Sequence, residues 1–206
     1  MTTSTATDQA TLTPIFNIVG EMVALGPQTK DLVPLLTRWV NDFEVAFYSG
    51  DPLRPTTEEL QRAEHEKASK EWQSHKVEFT IYERATLRPI GITHWRHIHG
   101  ANRTADYGIF IGDKDCWGKG YGTETTRLML EYAFTVLNLH SVFLSTSAYN
   151  ERAIGAYRRA GFREVGRRRE AERFGDRLYD EVFMDCLAAE FTGHTSRILP
   201  LPESSD

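Results

Sequence analysis

Cysteine is almost absent from these 206 residues: Cys116 and Cys186 stand far apart and outside any C-x-x-C pair. Neither a zinc cage nor a disulfide scaffold is expected, and a reducing compartment fits. No run approaches the roughly 18 apolar residues of a membrane helix. The opening MTTSTATDQATLTP lacks both the basic start and the apolar stretch of a secretory signal. A cytoplasmic protein with no membrane partner is expected. Basic charge is also short, since 24 Lys+Arg face 29 Asp+Glu for a net charge of −5, which argues against nucleic-acid binding as the main activity. Two familiar phosphate loops are missing as well. A Walker loop needs G-x-x-x-x-G-K-[ST], yet Lys119 is followed by Gly120, and a dinucleotide fingerprint from Gly118 or Gly120 would need glycine at Thr123 or Thr125. With 40% hydrophobic and 26% charged residues and no internal repeat, what remains is one packed domain. It is expected over 15–191, between a disordered leader at 1–14 and a flexible tail at 192–206 with few groups to offset the entropy of ordering.

Periodicity changes type repeatedly along that domain. Ile18 to Leu25 reads as a strand. Thr29 to Asn41 reads as a helix with Thr29 as cap and Pro34 weakening its first turns, and Thr56 to Trp72 as a polar helix opened by the capping pattern T-T-E-E. Strands follow at Val77 to Glu83, Ile90 to His97 and Thr104 to Ile111. After the loop Asp113 to Gly122 comes an amphipathic helix, TETTRLMLEYAFTVL, whose apolar set includes Leu128, Leu130, Tyr132, Phe134 and Leu137. Val142 to Thr146 is a β-branched strand, and Asn150 to Ala160 a helix capped by Asn150 and stopped by Gly161. Strands Arg163 to Arg169 and Leu178 to Cys186 flank the turn Phe174-Gly175-Asp176. The order is mixed α/β with an antiparallel start, not the regular alternation of a doubly wound sheet.

The junction Trp117-Gly118-Lys119-Gly120-Tyr121-Gly122 places unblocked backbone N–H groups at a helix start, where the helix dipole is positive. Such a junction can cradle a diphosphate, or it can be a plain turn with left-handed glycines. Its letters resemble the [QR]-x-x-G-x-[GA] loop of the GNAT superfamily of acyl-CoA-dependent N-acyltransferases, aligned on Trp117, Gly120 and Gly122. Trp117 replaces the usual Gln or Arg, as in the branch of ribosomal-protein N-terminal acetyltransferases and polyamine (spermidine) acetyltransferases, where W-G-K-G-Y-[AG]-T-E is familiar. Downstream, Asn150-Glu151-Arg152-Ala153, Tyr157 and Gly161-Phe162 resemble the family's N-x-x-[AS]-x-x-x-Y-x-x-x-G-F segment. The resemblance is strong over Tyr107 to Phe162. It implies an α+β, GNAT-like fold: a mostly antiparallel twisted sheet flanked by about four helices and splayed at the acyl-CoA site.

The resemblance also assigns roles, each beside a plainer one. Asn150 is a helix cap from its position and, by resemblance, meets the pantetheine arm. Tyr157, two turns further on, is placed either for core packing or, by resemblance, as the acid that protonates the departing thiolate, a role its ordinary pKa of about 10 allows. The backbone of Ile109, Phe110 and Ile111 would pair with the pantetheine amides and polarise the thioester carbonyl, with Gly108 allowing close approach. Trp117, Gly118, Lys119, Gly120, Tyr121, Gly122 and Thr123 would hold the diphosphate, with Lys119 and Arg152 on phosphate charge.

An attacking amine must shed a proton, so a carboxylate is a natural aid. Asp106 at the strand start leads, with a solvent-exposed strand-end Asp as the alternative; Glu78 and Glu44 are further candidates for binding a cationic amine. His94, His97 and His99 form H-x-x-H-x-H, but alternation on a strand sends His94 and His97 to opposite faces, so no metal is assigned. The arginines from Arg163 to Arg177, balanced by Glu164, Glu170 and Glu172, read as a solvated hairpin rather than a nucleic-acid site. The expected activity is direct acetyl transfer from acetyl-CoA to a primary amine, with a protein N-terminus, a polyamine or an aminoglycoside-like molecule as acceptor. A non-catalytic acyl-CoA sensor is the alternative of another class, and a homodimer is one option for assembly.

Overall fold

The computed structural model describes residues 14–50, 53–70 and 75–193. Of the expected leader and tail, all but Pro14, Thr192 and Gly193 lie outside the described residues. The elements run β1 (Ile18–Val19), β2 (Val23–Gly26), α1 (Val33–Val40), α2 (Phe43–Ser49), α3 (Glu58–Lys70), β3 (Val77–Glu83), β4 (Arg88–His99), β5 (Thr104–Ile111), α4 (Tyr121–Thr135), β6 (Ser141–Ser147), α5 (Glu151–Ala160), β7 (Arg163–Phe174) and β8 (Arg177–Leu187).

Three expectations are corrected. The strand expected from Ile18 to Leu25 is a hairpin, with Ile18 opposite Leu25 and Val19 opposite Ala24. A distant carboxylate makes the turn: Glu124 of α4 accepts from the amides of Glu21 and Met22. The expected first helix begins later, after a 3-10 turn at Lys30–Leu32, and Thr29 makes no side-chain cap. Pro34 sits in the first turn of α1, where its missing N–H has no helical partner in any case. A further helix, α2, occupies a stretch with no helical expectation, although Asp42 caps it through the amides of Glu44 and Val45 and Gly50 ends it at φ 77°. The second expected helix shortens to α3, with Thr57 accepting from Leu60 N at its start, and Trp72 lies outside the described residues.

Among the described residues the sheet has eight strands in the order β1-β2-β3-β4-β5-β6-β8-β7, antiparallel except between β5 and β6. Those two are parallel through three pairs, Thr104–Ser141, Ala105–Val142 and Asp106–Phe143, and then part. The β5 edge from Tyr107 to Ile111 is therefore bonded to β4 alone. Side chains alternate along β5. Ala105 and Tyr107 join the large core with Leu128, Met129 and Leu130 of α4 and Ile154 and Tyr157 of α5. Phe110 on the other face joins a second cluster with Leu36 and Trp39 of α1 and Val45 of α2. The gap between the parting strands thus has α4 and α5 behind it and α1 and α2 before it.

Candidate active site

The glycine loop is built as its letters suggest. Gly118 (φ 73°) and Gly120 (φ 92°) are left-handed, a conformation that costs other residues roughly 1–2 kcal/mol. Gly120 is the N-cap of α4 and carries no side chain to satisfy the first amides, which have no intrahelical partner either. A side chain at Gly118 or Gly122 would meet nothing within 4 Å. The one acid of the first turn, Glu124, is engaged by the β1–β2 turn. The result is an open cradle of N–H donors at a positive helix end.

A narrow cavity of about 140 Å³ leads from this cradle along the free edge of β5 to α5. Ile109, Phe110, Ile111, Trp117, Gly118, Gly120, Gly122, Thr123, Asn150, Arg152 and Tyr157 all border it. Lys119 and Tyr121 do not: Lys119 is exposed, and the Tyr121 hydroxyl turns to Glu83, donating at 2.5 Å. That carboxylate pushes the phenol pKa up to about 12. Arg152 stacks on Trp117 at 3.9 Å from the ring centroid and on Tyr48 at 4.9 Å, and burial lowers its pKa. Asn150 is fully engaged. Its Oδ1 accepts from Ala153 N at 3.2 Å as the helix cap, and its Nδ2 donates to Tyr48 O at 2.8 Å, so it pins the end of α2 over the cleft.

Val45, Tyr48 and Ser49 of α2 and Ala156 and Arg159 of α5 also line the cavity, and none of the five is among the residues expected from sequence. The last two follow Arg152 at helical spacing, so one face of α5 was enough to find them. The three on α2 required recognising Asp42 and Gly50 as its two caps.

A second, wider cleft of about 570 Å³ opens on the α1–α2 side, within the size of small-molecule sites. It shares Tyr48, Ser49, Ile109, Phe110 and Tyr157 with the first, so the two adjoin across these five residues. Tyr157 is buried, its ring edge-on to Tyr107 and Phe162, and burial pushes its pKa up to about 12. Carboxylates Glu64, Glu78, Glu172 and Glu181 border this cleft together with His94, Lys76 and Arg96. Glu172 arrives there through a bulge in β7, where Glu170 at φ 50° breaks the register with β8, and it accepts from the Ser147 hydroxyl.

The structure does not bring Asp106 to either cleft. It is half exposed and holds His97 Nδ1 at 2.7 Å. The strand parity that separated His94 from His97 is lost at a β4 irregularity between Arg96 and His99, where His97 has φ 50°. His99 accepts from Asn102 N instead, so the three histidines occupy three settings. Glu44 is paired with Lys114 at 3.1 Å and borders neither cleft. Glu78 does border the second, with Lys76 at 2.7 Å. Gly108 also has another purpose than the one expected. A Cβ there would come within 2.2 Å of His94 Nε2, so its missing side chain makes room for an imidazole rather than for a ligand. Burial, Arg96 and Lys76 lower the His94 pKa to about 3.

Residues 24–163 match the family described as Acetyltransferase (GNAT) domain. The chain belongs to the GNAT acetyltransferase family. Among its GNAT relatives, the spermidine N(1)-acetyltransferase of Vibrio cholerae is 30% identical over 111 residues, 54% of this chain and 64% of that protein. An uncharacterized N-acetyltransferase of Bacillus licheniformis is 29% identical over 115 residues, 56% of this chain and 64% of the other. The chain thus spans less than two thirds of the length of these relatives. In fold, it resembles the crystal structure of a Vibrio cholerae spermidine N-acetyltransferase in complex with CoA and spermine, with a TM-score of 0.73 at 22% identity over 83% of this chain and 98% of that one. A GNAT acetyltransferase from Bacillus anthracis gives 0.69 at 20% identity over 85% of this chain and 100% of that one. Among the described residues of this GNAT domain, no helix is long and apolar enough to cross a membrane.

Proposed function

We propose that this protein transfers an acetyl group from acetyl-CoA to a primary amine by direct attack. One observation carries the reading: the cleft that begins at the glycine cradle and the cleft bordered by carboxylates adjoin, and the buried Tyr157 is among the five residues that line both. An acyl thioester laid in the first and an amine entering the second would meet there. Acetyl-CoA supplies the thioester carbonyl that the amine attacks and the C–S bond that breaks.

The chain's own groups divide the work. The N–H donors at the start of α4 hold the diphosphate, and the free edge of β5 pairs with the pantetheine amides as an added strand would. A backbone N–H of the Ile109–Ile111 segment polarises the carbonyl. Tyr157, protonated throughout the physiological range, donates a hydrogen bond to the departing sulfur, which takes its proton from solvent. Arg152 is placed to meet phosphate charge from its stack on Trp117. The acceptor carboxylates draw in the ammonium form, which loses a proton to water before attack. The relatives' names suggest a polyamine acceptor for those proteins; the second cleft here is bordered by four glutamates and also by Lys76 and Arg96.

The test is incubation with acetyl-CoA and a panel of primary amines, following free thiol. Amine-dependent thiol release is expected. Tight acetyl-CoA binding with no release for any amine would make the protein an acyl-CoA sensor instead.

A further inference from the structure

The second cleft holds charges of both signs, and its ion pairs leave a particular remainder. Lys76 neutralises Glu78 at 2.7 Å, and Arg168 reaches Glu181 at 3.1 Å. Glu64 takes only the amide of Gln61 at 3.5 Å, and Glu172 the hydroxyl of Ser147. Two carboxylates are thus without a cationic partner among the described residues.

Arg96 is the cation left over. It follows His94 by two residues on β4, about 7 Å along the strand, and borders the cleft. Its partner across the β4–β5 ladder is Asp106, the acid expected to neutralise it from the same face of the sheet. The β4 irregularity prevents this. His97, at φ 50°, swings its Nδ1 to 2.7 Å from Asp106 Oδ2, and no carboxylate among the described residues forms an ion pair with Arg96. His94, two residues before Arg96 on β4, also borders the cleft, and burial keeps it uncharged. Arg96 is exposed, and of the Lys and Arg side chains bordering the cleft it is the one with no ion-pair partner among the described residues.

We propose that the amine accepted here carries an anionic group, a carboxylate or a phosphate, gripped by the Arg96 guanidinium, while its amino group faces Glu64 and Glu172 on the way to Tyr157. A guanidinium fork suits either anion. A simple diamine would satisfy the carboxylates but place its second charge against Arg96. This inference rests on the acceptor reading of the second cleft.

The experiment compares four amines of similar length with acetyl-CoA: 4-aminobutyrate, 3-aminopropyl phosphate, 4-aminobutyramide and 1,4-diaminobutane, with the full chain and with Arg96→Gln. In the unaltered protein, one of the two anionic amines should exceed both the amide and the diamine in kcat/KM by roughly ten- to hundredfold, as one charge-assisted pair allows, and which of them leads identifies the anion. In Arg96→Gln that preference should collapse to within a few-fold while acetyl-CoA affinity, read by calorimetry, stays the same. A preference for the diamine, or a preference for the anionic amines that survives Arg96→Gln, overturns the proposal and leaves the transferase reading intact. Bound acetyl-CoA with no turnover of any of the four and of the wider amine panel overturns both.

Discussion

Deleting one oxygen by Tyr157→Phe separates a chemical role for this side chain from a packing one. The ring stands edge-on to Tyr107 at 6.2 Å and to Phe162 at 6.1 Å between centroids, and phenylalanine keeps both contacts. The hydroxyl makes no hydrogen bond with any described residue, and burial alone raises its pKa to about 12. Removing it therefore leaves no buried partner unsatisfied, and stability should be unchanged. A thiol leaving group ordinarily has a pKa near 8.5. Complete proton transfer from the phenol would then run uphill by roughly 3.5 pKa units, on the order of 5 kcal/mol at 1.36 kcal/mol per unit. The phenol consequently acts in the transition state as a hydrogen-bond donor to developing thiolate, and the proton is completed from solvent. One charge-assisted hydrogen bond is worth about 1.5–3 kcal/mol, so kcat should fall by roughly 10- to 200-fold with acetyl-CoA affinity preserved. A raised pKa keeps the group protonated at all lower pH, so the pH profile of kcat should show no descending limb from Tyr157 below about pH 10. Steady-state thiol release, calorimetry and thermal melting measure the three quantities. An unchanged kcat with the fold intact, or a phenol that titrates between pH 7 and 9, would refute this role.

Gly120→Asp puts a strained φ of 92° and a negative charge into the cradle, so acetyl-CoA Kd should rise by at least about tenfold; calorimetry checks it, and undiminished binding would place the diphosphate elsewhere. Asn150→Ala removes both the cap to Ala153 and the bond to Tyr48 O, each worth about 1 kcal/mol, and Tm should drop by roughly 4–8 °C. Asn150→Asp, which keeps the cap and loses the second bond, should fall between. His94 has its pKa lowered to about 3 in the fold against about 6.5 unfolded. The unfolded chain therefore binds the extra proton first, and stability present above pH 6.5 is lost as pH falls towards 3. The loss at pH 5 is about 2 kcal/mol; denaturant midpoints at pH 7 and pH 5 should converge in His94→Gln, and an equal pH slope in both proteins would exclude His94 as its source.

Short-range features of the fold were legible because they depend on neighbouring residues alone. Left-handed glycines at Gly118, Gly120 and Gly161, the Asn150 cap and the limits of β3 and β5 follow from local sterics and nearby hydrogen bonds. The glycine loop and Asn150 stand where those local features place them, and of the residues expected to bind acyl-CoA all but Lys119 and Tyr121 border the first cleft. Even α2 was within reach, since Asp42 and Gly50 mark its ends.

Whatever depended on residues distant in the chain was decided by the tertiary structure. The β1–β2 hairpin is closed by Glu124, about a hundred residues away along the chain. Asp106 lost its expected place because irregularities in strands break the alternation on which side-chain direction is read: His97 turned to Asp106 and left Arg96 without an acid, just as the β7 bulge sent Glu172 inward to Ser147. The second cleft gathers α3, β3, β4, β6, β7 and β8 around one volume. No local pattern specifies which of their charges find partners there, because each pairing is set by the packing of segments that are not neighbours in sequence.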